Sequence, residues 1–177
     1  MRITFELEPV DLARFHEALV RAERRVACAE ACEIVDAARH ALEAVPPCTP
    51  GFVRRRLDDV ERLIAMLEDE AWALPQEERA QVLRVLAYFG DPEDMIPDHV
   101  EVIGLLDDAI MLELLMKRLR HVCEAYADFL RCRAQLGPAP AERATRQTWV
   151  RALARRRAAL HARMRRRLAR ETVPAAG

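Results

Sequence analysis

Serine is absent from all 177 residues, so every mechanism with a serine nucleophile is excluded. The five glycines are too scattered for a phosphate-cradling loop: neither G-x-x-x-x-G-K-[ST] nor G-x-G-x-x-G occurs. H-E-x-x-H is missing, as is any zinc-finger spacing. No stretch reaches the roughly 18 uncharged apolar residues that a membrane span needs. The best candidate, Ile103 to Met116, is interrupted by Asp107, Asp108 and Glu113. The chain opens with Glu6, Glu8 and Asp11, where a secretory leader would need an unbroken apolar run. Aromatics are few, but the apolar class makes up 51%, which argues against a disordered chain. The length suits one globular unit with a real core. These absences lead us to expect a soluble cytoplasmic protein, and they do not define an activity.

Five cysteines are present, Cys28, Cys32, Cys48, Cys123 and Cys132. An odd number without a leader points to reduced thiols in a cytosol. Cys28 and Cys32 lie four apart on an expected helix and could share a face. A zinc site would need two more ligands, and His16, His40 and His121 are not spaced to supply them. The cysteines therefore read as small helical core residues.

The formal charge of -1 hides a segregation. Residues 1–142 carry a balance of -11, and residues 143–177 a balance of +10. Gly137, Pro138 and Pro140 mark the division. The pattern is an acidic body over 1–136, a linker over 137–142 and a basic amphipathic helix over 143–171.

Hydrophobic periodicity predicts an all-α antiparallel helical bundle with a short N-terminal extended segment and a basic C-terminal helix. Ile3, Phe5 and Leu7 alternate with polar neighbours, the only strand-like signal. Such a segment needs a backbone partner. A homodimer would supply one across its axis; an extended arm lying on the helices would supply another. Solution mass with and without residues 1–7 decides between them.

A first helix is expected from about Pro9 to Ala44, with room for a break, on the stripe Leu12, Phe15, Leu19, Ala22, Val26 and Ala29. Val45, Pro46 and Pro47 end it. Thr49 and Pro50 read as the N-cap and first residue of the next helix, whose stripe is Val53, Leu57, Val60, Ile64 and Leu67. Leu74 and Pro75 restart the chain. A third stripe, Val82, Val85, Leu86 and Phe89, stops at Gly90. The last body helix, about Leu105 to Gln135, follows Leu105, Ala109, Leu112, Met116, Leu119, Cys123, Tyr126 and Leu130, widened by Leu106, Leu114 and Leu115.

The connection before that helix is unusual. Two prolines and two glycines interrupt it, and Asp91, Glu93, Asp94, Asp98, Glu101, Asp107 and Asp108 crowd it. Capping explains much of this: Asp91 before Pro92, Asp98 three residues before Glu101, and Asp107 and Asp108 at the positive end of a long helix. A sharper alternative is a cation site. Hard ions seek clustered oxygens, and Asp94, Asp98, Asp107 and Asp108 would converge if the connection folded back. Metal-bound water there could attack a phosphate ester. The spacing does not match an EF-hand loop, and His99 reads as a solvated side chain or a local cap.

This segment resembles the signature of the domain-of-unknown-function 1232 family, the YkvA-like proteins, roughly P-x-D-x-I-P-D-x-x-P-x-x-G-x-x-D-D. Pro92, Asp94, Ile96, Pro97, Asp98, Gly104, Asp107 and Asp108 meet it at fixed spacing, with Tyr88 ahead of them. Glu101 stands where the family usually has its later proline, which leaves the turn before Gly104 less constrained. The resemblance covers residues 88–108. It implies a small, mainly helical domain, often bacterial, and supplies no activity, cofactor or catalytic residue. Some relatives are membrane-associated, but the charged helices here do not support integration.

From Arg143 to Arg170 there are 11 arginines and no lysine. Trp149, Leu153, Leu160, Met164 and Leu168 form an apolar stripe, with Arg157 in an intervening position. The bland reading packs this helix on the acidic body. The sharper one uses the two triplets Arg155, Arg156, Arg157 and Arg165, Arg166, Arg167 to bind a polyanion, either nucleic acid or an anionic membrane surface, through 143–170. The sequence thus supports a non-catalytic interaction or structural module first, with no cofactor and an unidentified protein partner. A divalent-metal hydrolase and a polyanion-binding module stand as alternatives.

Overall fold

Six helices follow one another in the computed structural model, which describes residues 9–46, 49–91 and 104–171, the backbone alone at 9–12, 14, 52, 104–111 and 169–171. They are α1 (Pro9–Cys28), α2 (Ala31–Ala44), α3 (Gly51–Glu68), α4 (Gln76–Phe89), α5 (Gly104–Leu136) and α6 (Arg143–Glu171). All regular structure among the described residues is helical, as the periodicity predicts. The alternating segment at Ile3, Phe5 and Leu7 lies outside the described residues.

The expected first helix is broken between Cys28 and Ala31. Glu30 adopts an extended conformation there, and its N–H donates to the Glu33 carboxylate at 2.9 Å. That contact satisfies a backbone donor at the new helix start. The break resets the helical phase, so Cys28 and Cys32 lie on different helices and both are exposed. They are therefore neither a shared helical face nor core residues. Thr49 is not the N-cap of α3. Pro50 holds that position, and the Thr49 hydroxyl instead donates to the Pro46 carbonyl at 2.6 Å.

Helix α4 sits at the centre, packed against α1, α2, α3 and α5. Its predicted stripe is buried, and so are Leu83, Ala87 and Tyr88. A helix apolar around most of its circumference belongs inside a bundle. At its C-terminus α4 meets α2 through Gly90. A β-carbon there would come within 2.9 Å of the Ala38 amide nitrogen and 3.0 Å of the Ala37 carbonyl carbon. Glycine thus ends α4 because α2 passes too close for a side chain.

The long helix differs from expectation in its face. Leu112, Leu115, Leu119, Val122, Tyr126 and Phe129 are buried, whereas Leu114 and Leu130 are exposed. Helix α5 is covered on one side by α3 and α4 and on another by α6, so its buried arc is wider than the near-heptad row and turned from it.

The turn joining α3 to α4 makes the densest polar contacts. Asp69 accepts hydrogen bonds from the amides of Ala71 (3.1 Å) and Trp72 (3.2 Å), from the Tyr126 hydroxyl (3.1 Å) and from Arg133 Nη1 (2.9 Å). Those contacts fix Trp72, which is fully buried with its ring 5.0 Å from Phe129 and 5.7 Å from Tyr126. Burial and the Asp69 carboxylate push the Tyr126 phenol up to about 12, so it is a permanent donor.

The close approach at Gly90 generates a test. Gly90→Ala should destabilise the fold by about 1–3 kcal/mol, because backbone atoms must move apart to admit the methyl group. Chemical denaturation measures this; unchanged stability would contradict the packing of α4 on α2.

Candidate anionic-partner interface

Helix α6 runs back antiparallel along α5. Its position follows from an apolar seam: Leu153, Leu160 and Met164 are buried, with Trp149 packed at its start. The Trp149 indole N–H donates to the Gly137 carbonyl at 3.1 Å, which anchors the chain just after its turn. Gly137 has a φ of +71°, a left-handed conformation that suits glycine and lets α5 end there. Arg157, in its apolar position, reaches the turn between α3 and α4 and donates to the Ala71 carbonyl at 3.2 Å. His161 packs edge-on against Trp72 with ring centroids 4.4 Å apart.

One flank of α6 is tied to α5 by charge. Arg163 pairs with Asp128, and one turn later Arg167 pairs with Glu124. The carboxylates respond. Hydrogen bonds from Arg163 hold Asp128 below its ordinary value, and those from Arg120 and Arg167 do the same for Glu124. These pairs are largely solvent-exposed, so they set register more than they stabilise.

Four other arginines of α6 are different. Arg155, Arg156, Arg165 and Arg166 are exposed, and none has an ion-pair or hydrogen-bond partner among the described residues. The two triplets singled out in the sequence are thereby divided. Arg157 and Arg167 turn inward to the body, and the other four face solvent. Arg151 is also exposed and lies on the same outward side as Arg155. Between Arg143 and Arg170 no acidic residue interrupts this face.

The carboxylate reading falls mostly on undescribed positions. Asp94 and Asp98 lie outside the described residues, as do Pro92, Ile96 and Pro97 of the signature. Asp107 and Asp108 stand in the first turns of α5, which begins at Gly104 and is described there by backbone alone. Tyr88 is buried in α4. Asp91 accepts a hydrogen bond from Arg21 Nε at 2.9 Å, bracing α1 against the end of α4. Among the described residues, no group of three or more His, Cys, Asp or Glu is placed to hold a metal ion. No helix is long and apolar enough to cross a membrane among those residues.

The remaining thiols and clefts carry little chemistry. Burial, with the charge of Asp59, pushes the Cys123 thiol up to about 11, which makes it a poor nucleophile near neutral pH. Cys48 lies outside the described residues. A cleft of about 530 Å³ opens between α1, α4 and α5 over Leu19, Val85, Leu115 and Leu119. Two of its charged residues, Glu23 and Arg84, pair with each other at 3.5 Å.

Sequence reasoning missed the Asp69–Trp72 turn and the partners of α6. The second had a readable signal. Glu124 and Asp128 are spaced by four on α5, as are Arg163 and Arg167 on α6, so the two rows are complementary in antiparallel register.

Residues 78–114 match the family model described as protein of unknown function (DUF1232), so the chain contains this domain, as the signature residues implied. The match begins on α4 and ends on the first part of α5; α6 lies outside it. No match was found among curated proteins or among solved structures.

The seat of His161 predicts a pH response. Burial, then the charges of Arg157 and Arg165, hold its pKa below the usual 6.5, partly opposed by a hydrogen bond to the Trp72 backbone. The docked state therefore binds the proton less well than the unfolded chain, and its stabilisation is lost as pH falls from about 6.5 through the lower folded value. Thermal denaturation at pH 7.5 and 5.5 should show a smaller decrease in His161→Phe than in the parent. An equal decrease would contradict this assignment.

Proposed function

We propose that the chain is a non-catalytic interaction module that presents the exposed arginines of α6 to an anionic partner. The observation that carries this reading is the division of the α6 arginines. Arg157, Arg163 and Arg167 are engaged by the body, whereas Arg155, Arg156, Arg165 and Arg166 are exposed and without partners among the described residues. A helix needed only to cover α5 requires its seam and its inner flank. Four further guanidinium groups along one helix repel one another and contribute nothing to that docking. Arginine also suits the task, because its planar fork pairs bidentately with phosphate or carboxylate.

The test uses the full chain on a heparin column, where heparin stands for any dense polyanion. Replacing Arg155, Arg156, Arg165 and Arg166 together with alanine should lower the eluting salt concentration markedly. The melting temperature should hold, since exposed substitutions away from packing change stability by no more than about 0.5 kcal/mol each. Equal elution of parent and variant would overturn the reading.

A further inference from the structure

We infer that the anionic partner is duplex DNA, and that α6 enters its major groove and contacts the phosphates of both walls. This deepens the proposed function and rests on it. The exposed arginines have a distinctive angular placement on α6. At about 100° per residue, Arg155 and Arg166 align to within about 20° of each other and lie about 16 Å apart along the axis. Together with Arg151 they form a crest facing away from α5. Arg156 and Arg165, nine residues apart, fall on opposite flanks, separated by about 180° around the axis.

That distribution discriminates between partners. A flat anionic surface, such as a bilayer, meets only the crest. A groove meets the crest and both flanks. The major groove of B-form DNA is about 12 Å wide, close to the diameter of a helix with its side chains. Its walls carry about one negative charge per 1.7 Å of duplex. The narrow major groove of A-form RNA does not admit a helix in this way. A bilayer is further disfavoured by the chemistry of the crest: Leu153, Leu160 and Met164, which could insert between lipids, are buried against the body.

The centre of the crest is small. Ala158 and Ala159 are exposed and Ala162 is half-buried, all between the arginine groups. Alanine lets a helix backbone approach the groove floor, and it offers no hydrogen bond to a base edge. Contacts to phosphate alone position a protein without reading sequence. Binding should therefore be insensitive to base order.

The experiment measures fluorescence anisotropy of a labelled 24-bp DNA duplex (in two unrelated sequences) titrated with the full chain. Direct binding to vesicles of one-third phosphatidylglycerol in phosphatidylcholine (co-sedimentation) and to a labelled polyglutamate peptide (anisotropy) is measured in parallel. Three to five phosphate contacts predict a log–log salt slope of about -2.7 to -4.5, that is, a loss of roughly 40- to 500-fold between 50 and 200 mM salt. The crest variant Arg155→Ala/Arg166→Ala and the flank variant Arg156→Ala/Arg165→Ala should each weaken binding by at least about tenfold and each flatten the slope by about 1.8. Both sequences should bind alike. Loss with the crest variant but not the flank variant would overturn groove entry. Vesicle or polyglutamate binding without DNA binding would overturn the inference and leave the proposed function standing. Failure to bind any of the three would overturn both.

Discussion

The Asp69 carboxylate is the contact on which the arrangement of the long helices depends. It gathers the amides of its own turn, the Tyr126 hydroxyl and the Arg133 guanidinium within 3.2 Å. Its side chain is 9% exposed, so those donors take the place of water. Because Asp69 shapes the turn, it also places Ala71 and Trp72. Those two residues receive Arg157 and His161 from α6. One acidic residue thus joins α3, α5 and α6. Removing it would take from Arg133 and Tyr126 the acceptor they share, and the buried Tyr126 phenol has little water to replace it.

The charge segregation acquires a physical meaning in this frame. A basic helix beside an acidic body could have been neutralised throughout. Instead, the body uses Glu124 and Asp128 to pair Arg163 and Arg167, and Arg155, Arg156, Arg165 and Arg166 have no partner among the described residues. The seam of Leu153, Leu160 and Met164 supplies the burial, and the ion pairs supply the alignment. The outward arginines are thereby presented on a fixed support. A rigid, preorganised face binds with less entropic cost than a loose basic tail. The DUF1232 match lies elsewhere, across α4, the connection and the start of α5. Its match covers the central packing helix and none of the outward face of α6.

Helix existence and type were legible wherever apolar spacing was regular. The stripe on α4 and the seam on α6, including the anomalous place of Arg157, are where periodicity puts them. Two kinds of information were not legible. The phase break at Glu30 depends on a local contact with Glu33, which a continuing apolar rhythm conceals. The true face of α5 depends on being covered from two sides, a tertiary fact that a one-dimensional pattern cannot hold. Trp72 and Asp69 were invisible for a similar reason: a short turn has no period, and its weight comes entirely from what it meets. For the interface, sequence supplied the candidate arginines. Only packing could separate those facing the body, Arg157 and Arg167, from those facing outward.

The central claim is that the Asp69 turn holds α6 in place. Amide hydrogen exchange across residues 149–168, compared between the parent chain and Asp69→Ala, tests it most directly. Protection in α6 should fall by about tenfold or more while α1, which packs on α4 and α2, keeps its protection. Unchanged exchange in α6, or an equal loss across all helices, would contradict it.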